Sequence, residues 1–492
     1  MYQRRDAFML LGLLICITLL TEAIVEGNVV FNVQHKFGGL RRATLGDLKA
    51  HDMLRHGRSL ASVDMPVGGD AKFTAAGLYY TQMAIGTPTK DFHLQIDTGS
   101  NLMWVNSAGC EECPKKSQLG FDHAFFDEKA SSTSKPVTCD QQFCAIAHNG
   151  PYTNCTPNAA CEYVTTYADG SQIGGYFVKD SIRFDQLSAD FKTKSLVANI
   201  SFGCSSKKGK SAETSTDSVD GIIGFGQDNS SVISQLSMST KISKVFSHCF
   251  DGKNGGGIFA IGDVSDPAVK NMSALVPNTP HYTITMMTIN VGGKEFELNK
   301  GFFGIGSGID TVIDSGATLA FFPEAIYKEL IEKIMDAHDD VKTYTYEQQF
   351  TCFPYKGDVS KDFPLVTFNF EDSLTIKVYA SEYLIQIKNG DWCLGWQMNN
   401  MKPNNEGDTI LLGDLALANK LVTYNLEKQA IGVTEHDCTK GIKIKDVETG
   451  AGYELKGANI SPPSSSASKQ HGLNLVVTLS FIISAMLYHF TV

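Results

Sequence analysis

The chain has 492 residues, which favours two domains or lobes because single hydrophobic cores stop growing at roughly 250–300 residues. Its formal net charge of -11 argues against a nucleic-acid partner, since phosphate binding requires clustered lysine and arginine. Its 45 glycines and its frequent valine, isoleucine, threonine and phenylalanine indicate β structure.

The N-terminus predicts a secretory signal peptide over residues 1–23. Arg4 and Arg5 precede an apolar run from Ala7 to Leu20, and the small residue Ala23 offers a cleavage site. The alternative is a short membrane anchor, but the run is shorter than a span usually needs. Five Asn-X-Ser/Thr sequons agree with the secretory route and are candidate glycosylation sites: Asn154, Asn199, Asn229, Asn271 and Asn459.

Residues 24–71 form the next predicted unit. The stretch from His35 to Arg58 is basic and compatible with a helix, because apolar residues recur at helical spacing: Leu45, Leu48 and either Met53 or Leu54. Three interpretations fit this unit: a solvated face, a helix on a membrane surface, or a prosegment that covers an acidic cleft.

Two lobes are predicted next, over residues 72–250 and 251–440. In each, short runs of alternating apolar and polar residues are separated by glycine and polar turns, as in β structure. Two segments predict helices. One spans residues 231–246, and the other runs from Pro323, at a natural first-turn position, to Asp340, with one apolar face: Ile326, Leu330, Ile331 and Ile334.

The C-terminus contains a second predicted targeting signal. Residues 441–466 are predicted to form a linker or stalk, and a small, polar spacer runs from Ser461 to Gly472. The tail that follows the spacer is apolar. A polar spacer followed by a terminal apolar tail is typical of a GPI-attachment signal, and we expect residues 467–492 to be removed. A transmembrane helix is the alternative, but no basic cluster follows the tail. The candidate attachment sites are Ser464, Ser465 and Ser466.

The sequence contains 12 cysteines, of which Cys16 lies in the predicted signal. The eleven that remain predict disulfides in a secreted chain, with at least one thiol free or paired between molecules. Cys110 and Cys113 form a CxxC, for which zinc is the alternative, but no second CxxC or histidine pair completes a site. We therefore predict no metal and no cofactor.

The strongest signal is an internal repeat. "FHLQIDTGS" places Asp97 after an apolar run, and "TVIDSGATL" does the same with Asp314. Each motif is followed by a later apolar run that reaches a glycine, "GIIGFG" at Gly221 to Gly226 and "ILLGD" at Ile410 to Asp414. A lone Asp-Thr-Gly is usually a turn at a strand end. Two copies in matched frames predict two similar lobes that each supply one carboxylate.

Two facing carboxylates have a defined chemistry. Their like charges cannot both ionise cheaply, so the pair shares one proton and titrates as a unit. The ionised partner acts as general base on a water, and the protonated partner polarises a carbonyl. Glycines that permit tight turns and hydroxyls that bind the carboxylate oxygens are predicted to support the pair: Thr98, Gly99, Ser100, Ser315, Gly316 and Thr318.

On these motifs the chain resembles the pepsin-like aspartic endopeptidases. "GLYYTQMAIGTPTKDFHLQIDTGSNLMWV" is similar to the family's opening, and "ILLGDLALANKLVTYNLEKQAIGV" is similar to its close. The resemblance covers roughly Gly77 to Cys438. It implies an all-β, bilobal fold with a cleft between two pseudo-symmetric lobes and a few short helices. In that fold Asp97 and Asp314 are the catalytic pair.

The resemblance also implies roles outside the two turns. "TYADGSQIGG" resembles the flap, a hairpin that closes over substrate, with Tyr167 at its tip and Gly170 as its flexible glycine. Trp104 is expected to hold the Tyr167 hydroxyl through its indole N–H. The basic unit becomes a prosegment, and its candidate partners of the acidic cleft are Lys36, Arg41, Arg42 and Lys49.

The cysteines depart from pepsin. Six of them resemble the disulfide-stapled insertion of the plant nepenthesin and nucellin-like branch, with three local bridges expected: Cys110, Cys113, Cys139, Cys144, Cys155 and Cys161. Cys352 and Cys393 resemble the family's second-lobe bridge, and Cys438 is expected to pair with Cys204 or Cys249. The second motif is Asp-Ser-Gly, in which serine keeps the hydroxyl.

These features predict an aspartic endopeptidase that cleaves internal bonds of polypeptides at acidic pH. We expect a monomer, displayed by a GPI anchor on the extracellular face of the plasma membrane. One alternative is a catalytically silent binding or inhibitor protein on the same fold, which the intact motifs disfavour. Another is a lipid-anchored adhesion or structural protein, which leaves the paired aspartate turns unexplained.

Overall fold

The structure is a computed structural model that describes residues 29–35 and, with gaps of one to ten residues, residues 79–455. The predicted signal peptide, the predicted GPI signal and most of the predicted prosegment lie outside these ranges. Among the residues that are described, no helix is both long and apolar enough to cross a membrane.

Helices are short, and the longest described one has 12 residues. The α-helices are α1 (Gln142–Ala147), α2 (Val232–Ser239), α3 (Glu324–Met335), α4 (Val359–Asp362), α5 (Ala380–Tyr383) and α6 (Asp414–Leu417). A single 3₁₀ turn spans Glu371–Ser373 in the described chain.

Most of the described chain is β structure, as the composition predicted. The strands of the first half are β1 (Val29–His35), β2 (Tyr79–Ile85), β3 (Lys90–Asp97), β4 (Trp104–Asn106), β5 (Lys135–Pro136), β6 (Glu162–Thr166), β7 (Gln172–Leu187), β8 (Thr193–Lys208), β9 (Gly221–Gly224), β10 (Val245–Phe250), β11 (Gly257–Ile261), β12 (Val264–Asp266), β13 (Met272–Ala274) and β14 (Thr283–Val291). Those of the second half are β15 (Lys294–Glu297), β16 (Ile309–Ile313), β17 (Ala320–Phe322), β18 (Tyr344–Tyr346), β19 (Phe350–Phe353), β20 (Val366–Phe370), β21 (Thr375–Val378), β22 (Leu384–Gln386), β23 (Trp392–Leu394), β24 (Trp396–Met398), β25 (Ile410–Leu412), β26 (Lys420–Asn425), β27 (Ala430–Glu435), β28 (Ile442–Lys445) and β29 (Gly452–Leu455).

One large sheet runs through both predicted lobes. Its order is β13-β27-β26-β10-β11-β1-β2-β3-β9-β4-β8-β7-β5, and β6 pairs with β7. The second sheet has the order β21-β20-β14-β16-β25-β17-β24, with β15 paired to β14, and two smaller sheets contain β18-β19-β23-β22 and β12-β28-β29. The predicted boundary at 250/251 falls between β10 and β11, which are paired neighbours in the large sheet.

The internal repeat of the sequence is a repeat of topology. In the first half, β3 pairs in parallel with β9, while β4 pairs antiparallel with β9 and parallel with β8. In the second half, β16, β25, β17 and β24 repeat these pairings in the same order and directions. Each apolar run that reaches a glycine therefore lies beside the strand that carries an aspartate turn, which confirms the predicted repeat.

The middle of the large sheet has two different faces, because side chains alternate along each strand. Phe246, His248 and Phe250 of β10 pack into the main core together with Tyr424 of β26. The intervening residues turn to the opposite face, where a separate apolar cluster forms: Cys249, Ile258, Ala260 and Leu421. The alternation of side chains along each strand thus separates the sheet face on the side of the aspartate turns from the opposite face.

Residues beyond the predicted lobes cover this second face. Strands β28 and β29 form a hairpin that pairs with β12, and Ile442, Ile444 and Leu455 are buried against the apolar cluster. The prediction of a linker over 441–466 is wrong for this part. "IKIK" and "YEL" alternate apolar and polar residues on either side of a glycine-containing turn, which is the pattern of a hairpin rather than of a stalk.

Two other expectations need correction. The helix predicted over 231–246 ends at Ser239, and Val245 begins β10; a strand buried on both faces shows a continuous apolar run that resembles a buried helix. Pro323 is the N-cap of α3 rather than a residue of its first turn.

The predicted prosegment contributes β1, which is a strand of the large sheet paired with β11 and β2. The helix-compatible stretch that follows His35 lies outside the described residues and stays a prediction.

Candidate active site

The two aspartate turns stand at equivalent places in the repeat. Asp97 is the last residue of β3, and Asp314 follows β16 directly; both side chains are fully buried. The Phe225 N–H donates to the Asp97 carbonyl at 2.7 Å, and the Asp314 N–H donates to the Leu412 carbonyl at 3.0 Å. The parallel neighbour strand therefore fixes the backbone of each aspartate.

Each carboxylate is held by the turn that follows it. The Gly99 N–H donates to Asp97 Oδ1 at 2.8 Å, and the Gly316 N–H donates to Asp314 Oδ1 at 2.6 Å. The Ser100 hydroxyl donates to Asp97 Oδ2. Hydrogen bonds of this kind stabilise the ionised form of a carboxyl group. Thr318 is buried beside the second turn, and its hydroxyl bond to Asp314 stays a prediction.

The two turns lie against each other. An ideal Cβ at Gly99 would stand 2.2 Å from Oδ2 and 2.7 Å from Oδ1 of Asp314, so only a glycine fits there. On the other side, Gln95 Nε2 donates to the Gly316 carbonyl at 3.3 Å. The fold therefore brings the two carboxyl-bearing turns into direct contact, although they are separated by more than 200 residues of sequence.

A reciprocal pair of hydrogen bonds joins the turns. The Ser315 N–H donates to Thr98 Oγ1 at 2.9 Å, and the Thr98 N–H donates to Ser315 Oγ at 3.3 Å. Each hydroxyl then donates to a carbonyl of the opposite repeat, Thr98 to Ile313 at 3.5 Å and Ser315 to Ile96 at 3.3 Å. We call these four bonds the cross-repeat lattice. The sequence placed both residues near the pair but did not show that they bind each other.

The glycines of the downstream runs are required by close packing. A Cβ at Gly226 would stand 2.0 Å from Asn101 Oδ1, and one at Gly413 would stand 2.4 Å from the Leu319 carbonyl. Asn101 is itself fixed by Asp228: its Nδ2 donates to Asp228 Oδ2 at 2.7 Å, and the Asp228 N–H donates back to its Oδ1 at 3.2 Å. No sequence motif predicted this pair, because the two residues belong to separate segments.

A buried carboxylate is hydrogen-bonded to the strand that ends at the first aspartate. Asp220, directly before β9, accepts hydrogen bonds from the His123 and His93 rings at 2.8 and 3.2 Å and from the Ala124 and His93 N–H groups at 2.9 and 2.7 Å. Burial raises the pKa of Asp220, but these hydrogen bonds outweigh it, and the net effect holds the pKa below its usual 3.8. Asp220 thereby ties β3 and β9 to residues 123–124.

The described residues include only the stem of the predicted flap. Strands β6 and β7 form an antiparallel hairpin that closes at the pair Thr166 and Gln172. Tyr167 and Gly170 lie outside the described residues, so their roles stay predictions. Trp104 is buried in β4 and packs in one cluster with Tyr163 of the hairpin, so it stands beside the stem.

Ten cysteines form five disulfides in the described chain: Cys110–Cys113, Cys139–Cys155, Cys144–Cys161, Cys249–Cys438 and Cys352–Cys393. The first pair excludes the zinc alternative at the CxxC, because a disulfide offers no thiolate ligand. Between the two alternatives for Cys438, the structure selects Cys249, and Cys204 is a buried free thiol whose pKa is raised by burial.

The predicted glycosylation sites divide between two groups. Asn199, Asn229 and Asn271 are exposed, and Asn271 Nδ2 also donates to the Ser373 carbonyl at 2.9 Å. Asn154 and Asn459, like the candidate attachment sites Ser464, Ser465 and Ser466, lie outside the described residues.

Comparison with known proteins agrees with this geometry. A family profile described as xylanase inhibitor N-terminal matches residues 79–263, and one described as xylanase inhibitor C-terminal matches residues 281–435. Aspartic proteinase 36 of Arabidopsis thaliana is 42% identical over 460 residues, 94% of each chain, and aspartic proteinase 39 of the same plant is 41% identical over 451 residues, 91% of this chain and 93% of that one. The crystal structure of basic 7S globulin from soybean matches with a TM-score of 0.58 at 16% identity, over 83% of this chain and 97% of that chain.

Asp220→Asn should destabilise the protein by about 2–4 kcal/mol at neutral pH, because the amide cannot accept all four hydrogen bonds. The folded pKa lies below 3.8, so the stabilisation by the carboxylate is present above that value and is lost only as the pH falls through the folded pKa. Urea unfolding of both proteins from pH 7 to pH 2.5 should show a difference that narrows only below pH 3.8. Asp91→Asn, on the exposed part of β3, is the control and should change little. A difference that already vanishes near pH 6 would contradict this account.

Proposed function

This chain belongs to the plant aspartic proteinases of the pepsin-like, xylanase-inhibitor-like type, and from that premise we propose that it is an active aspartic endopeptidase. The substrates are internal peptide bonds of polypeptides, and the chemistry is hydrolysis by a water that Asp97 and Asp314 activate together. The observation that carries the proposal is the contact between the two turns, in which Gly99 lies directly against the Asp314 carboxylate.

The mechanism follows from the two carboxylates and the groups that hold them. Because the turns touch, one proton is shared by Asp97 and Asp314, and the pair titrates as a unit. The ionised member takes a proton from the water as it attacks the scissile carbonyl, and the other donates to the carbonyl oxygen. The Gly99 and Gly316 N–H groups each hold one oxygen of the carboxylate in their own turn, and the Ser100 hydroxyl holds the second oxygen of Asp97, so the orientation of the pair is fixed before the water is activated.

Acidic working conditions follow from the same pairing. Activity requires a singly protonated pair, and hydrogen bonds from the turns favour ionisation. The pair therefore loses its shared proton as the pH rises towards neutrality, and activity falls. This supports an enzyme of acidic compartments or acidic extracellular fluid.

We also propose that the protein is displayed on the extracellular face of the plasma membrane by a GPI anchor. The support lies in the apolar N-terminus, the serine-rich spacer and the apolar C-terminal tail. The described chain ends at Leu455, whose hairpin covers the sheet face opposite the aspartate turns.

A silent binding or inhibitor protein is the second candidate, because both matching profiles carry xylanase inhibitor descriptions. The intact pair and its lattice favour the peptidase, since a binding protein does not need two carboxylates in contact. Activity measurements separate the two functions directly.

Asp97→Asn and Asp314→Asn should each lower peptidase activity by about 10³-fold or more, because neither variant can share the proton. The assay is hydrolysis of a denatured protein by the full chain, secreted from a eukaryotic host, between about pH 3 and 7, with and without pepstatin. Asp91→Asn should retain the activity. If the wild-type protein, with its prosegment shown to be removed, cleaves nothing, the peptidase proposal fails and the binding protein becomes the leading function.

Gly99→Ala should reduce activity by about 10²-fold, because the new methyl group displaces the Asp314 carboxylate from its partner turn. Gly109→Ala is the matched control: its ideal Cβ meets only Ser107 Oγ at 3.7 Å, so activity should stay within about twofold. Both variants are assayed as above, with thermal unfolding measured in parallel. Equal activity of the two variants would show that the contact between the turns is not required.

The GPI proposal predicts that phosphatidylinositol-specific phospholipase C releases the protein from intact cells, because a GPI anchor is held by its lipid alone. Immunoblots of cells and medium before and after treatment measure the release. Replacing Ser464, Ser465 and Ser466 together by bulky residues should abolish surface display. Retention on the cells after phospholipase treatment would favour the transmembrane alternative.

A further inference from the structure

A second contact joins the two repeats at a place that no sequence motif predicted. The Tyr282 hydroxyl donates to the Phe225 carbonyl at 2.8 Å, and the Gln227 side-chain Nε2 donates to the His281 carbonyl at 2.6 Å. Phe225 and Gln227 follow β9 of the first repeat. His281 and Tyr282 lead into β14, which pairs with β16 of the second repeat. We call these two hydrogen bonds the second cross-repeat contact.

Backbone hydrogen bonds continue this contact to both aspartates. On one side, the Phe225 N–H donates to the Asp97 carbonyl at 2.7 Å. On the other side, the Ile313 N–H donates to the Tyr282 carbonyl at 2.9 Å, and Ile313 directly precedes Asp314. The path from one aspartate to the other therefore crosses between chain segments only through hydrogen bonds of normal length.

We propose that Tyr282 and Gln227 are positioning residues, which hold the Asp97–Asp314 pair at the separation that lets it share one proton. This inference rests on the proposed peptidase function. The cross-repeat lattice joins the two aspartate turns through side chains of the turns themselves. The second contact joins the repeats at a different place, so the two contacts together restrict a rotation of one repeat against the other that a single contact would permit.

The first-repeat side of the contact is fixed to the Asp97 turn by three further hydrogen bonds. The Gly226 N–H donates to the Ser100 carbonyl at 2.9 Å. Asn101 and Asp228 exchange two hydrogen bonds, at 2.7 and 3.2 Å. Because the segment after β9 is held to the turn at each of these points, a displacement of that segment also displaces the turn that carries the first carboxylate.

The surroundings of Tyr282 fix its ring and keep its hydroxyl protonated. The side chain is fully buried and packs edge-on against Tyr424 and Phe246, with ring centroids 4.7 and 6.1 Å apart. Burial, and after it the nearby Tyr424, raises the pKa of Tyr282, so the phenol stays a donor from acidic to neutral pH. The titratable neighbours do not replace it: His281 contributes its backbone carbonyl to the contact, and Asp228 is bonded within the first repeat.

Loss of the contact should change the titration of the carboxylate pair as well as its rate. Two carboxyl groups that share one proton have apparent pKa values that their interaction pushes apart. A looser contact lets the carboxylates separate, so their interaction weakens and the two apparent pKa values move towards each other. The bell-shaped pH profile of activity should therefore become narrower on both limbs.

The test compares Tyr282→Phe and Gln227→Met with the wild type, each as the full chain assayed like Asp97→Asn. Both substitutions remove one donor of the second cross-repeat contact and keep most of the side-chain volume. Each should lower kcat about tenfold, the worth of one hydrogen bond, with KM within about twofold. Each should also narrow the pH profile of kcat. A profile as wide as that of the wild type in both variants would overturn the positioning role.

Tyr383→Phe is the matched control. The Tyr383 side chain is also fully buried, and its hydroxyl donates to the Pro364 carbonyl at 2.7 Å, but both residues lie within the second predicted lobe. This variant should lower the melting temperature about as much as Tyr282→Phe does, yet leave kcat and the pH profile unchanged. If Tyr282→Phe behaves like Tyr383→Phe, the role of Tyr282 is structural only and the inference is wrong.

A measurement independent of activity separates this inference from the proposed function. Carboxyl ¹³C spectra of aspartate-labelled protein, assigned with Asp97→Asn and Asp314→Asn, report the two apparent pKa values of the pair directly. These values should lie closer together in Tyr282→Phe than in the wild type and stay unchanged in Tyr383→Phe. Equal values in all three proteins overturn the inference whatever the activity. If the values shift as expected but the wild type cleaves no substrate, the proposed function fails while the effect of the contact on the pair is retained.

Discussion

The structure depends on the four hydrogen bonds between Thr98, Ser315 and the two carbonyls that they reach. Each hydroxyl belongs to one repeat and binds the backbone of the other, so neither aspartate turn is complete alone. Because these groups are buried, each unmade bond would cost the full desolvation of its donor or acceptor. The lattice therefore fixes the separation and orientation of the carboxylates more strictly than apolar packing between lobes could.

The large sheet gives the lattice a rigid base by dividing its two faces between two tasks. On one face, aromatic rings and His248 stack beneath the aspartate turns. On the other, a disulfide between Cys249 and Cys438 and the hairpin of β28 and β29 seal the sheet. Because side chains alternate along a strand, the neighbouring residues His248 and Cys249 lie on opposite faces of the sheet.

The repeated aspartate turns could be predicted from the sequence, but hydrogen-bonded pairs of residues from separate segments could not. Two Asp-Thr/Ser-Gly turns in matched apolar frames were enough for the bilobal β fold and for the carboxylate pair. Asp220 with His93 and His123, and Asn101 with Asp228, could not be found this way, since no periodicity links residues of separate segments. The hairpin after residue 440 was recognisable from its alternation, but a serine-rich, apolar C-terminus directed the interpretation of the whole region toward a stalk.

Two buried titratable groups outside the carboxylate pair, Asp220 and His248, have pKa values that are shifted to low pH. Four hydrogen bonds hold the pKa of Asp220 below its usual 3.8, and burial lowers the pKa of His248 to about 3. The activity at acidic pH that we propose would require both properties: a carboxylate that keeps its charge and an imidazole that does not gain one. Asp220 is hydrogen-bonded to His93 of β3, the strand that ends at Asp97, so acid can titrate the surface while the backbone that leads to the first aspartate turn stays fixed.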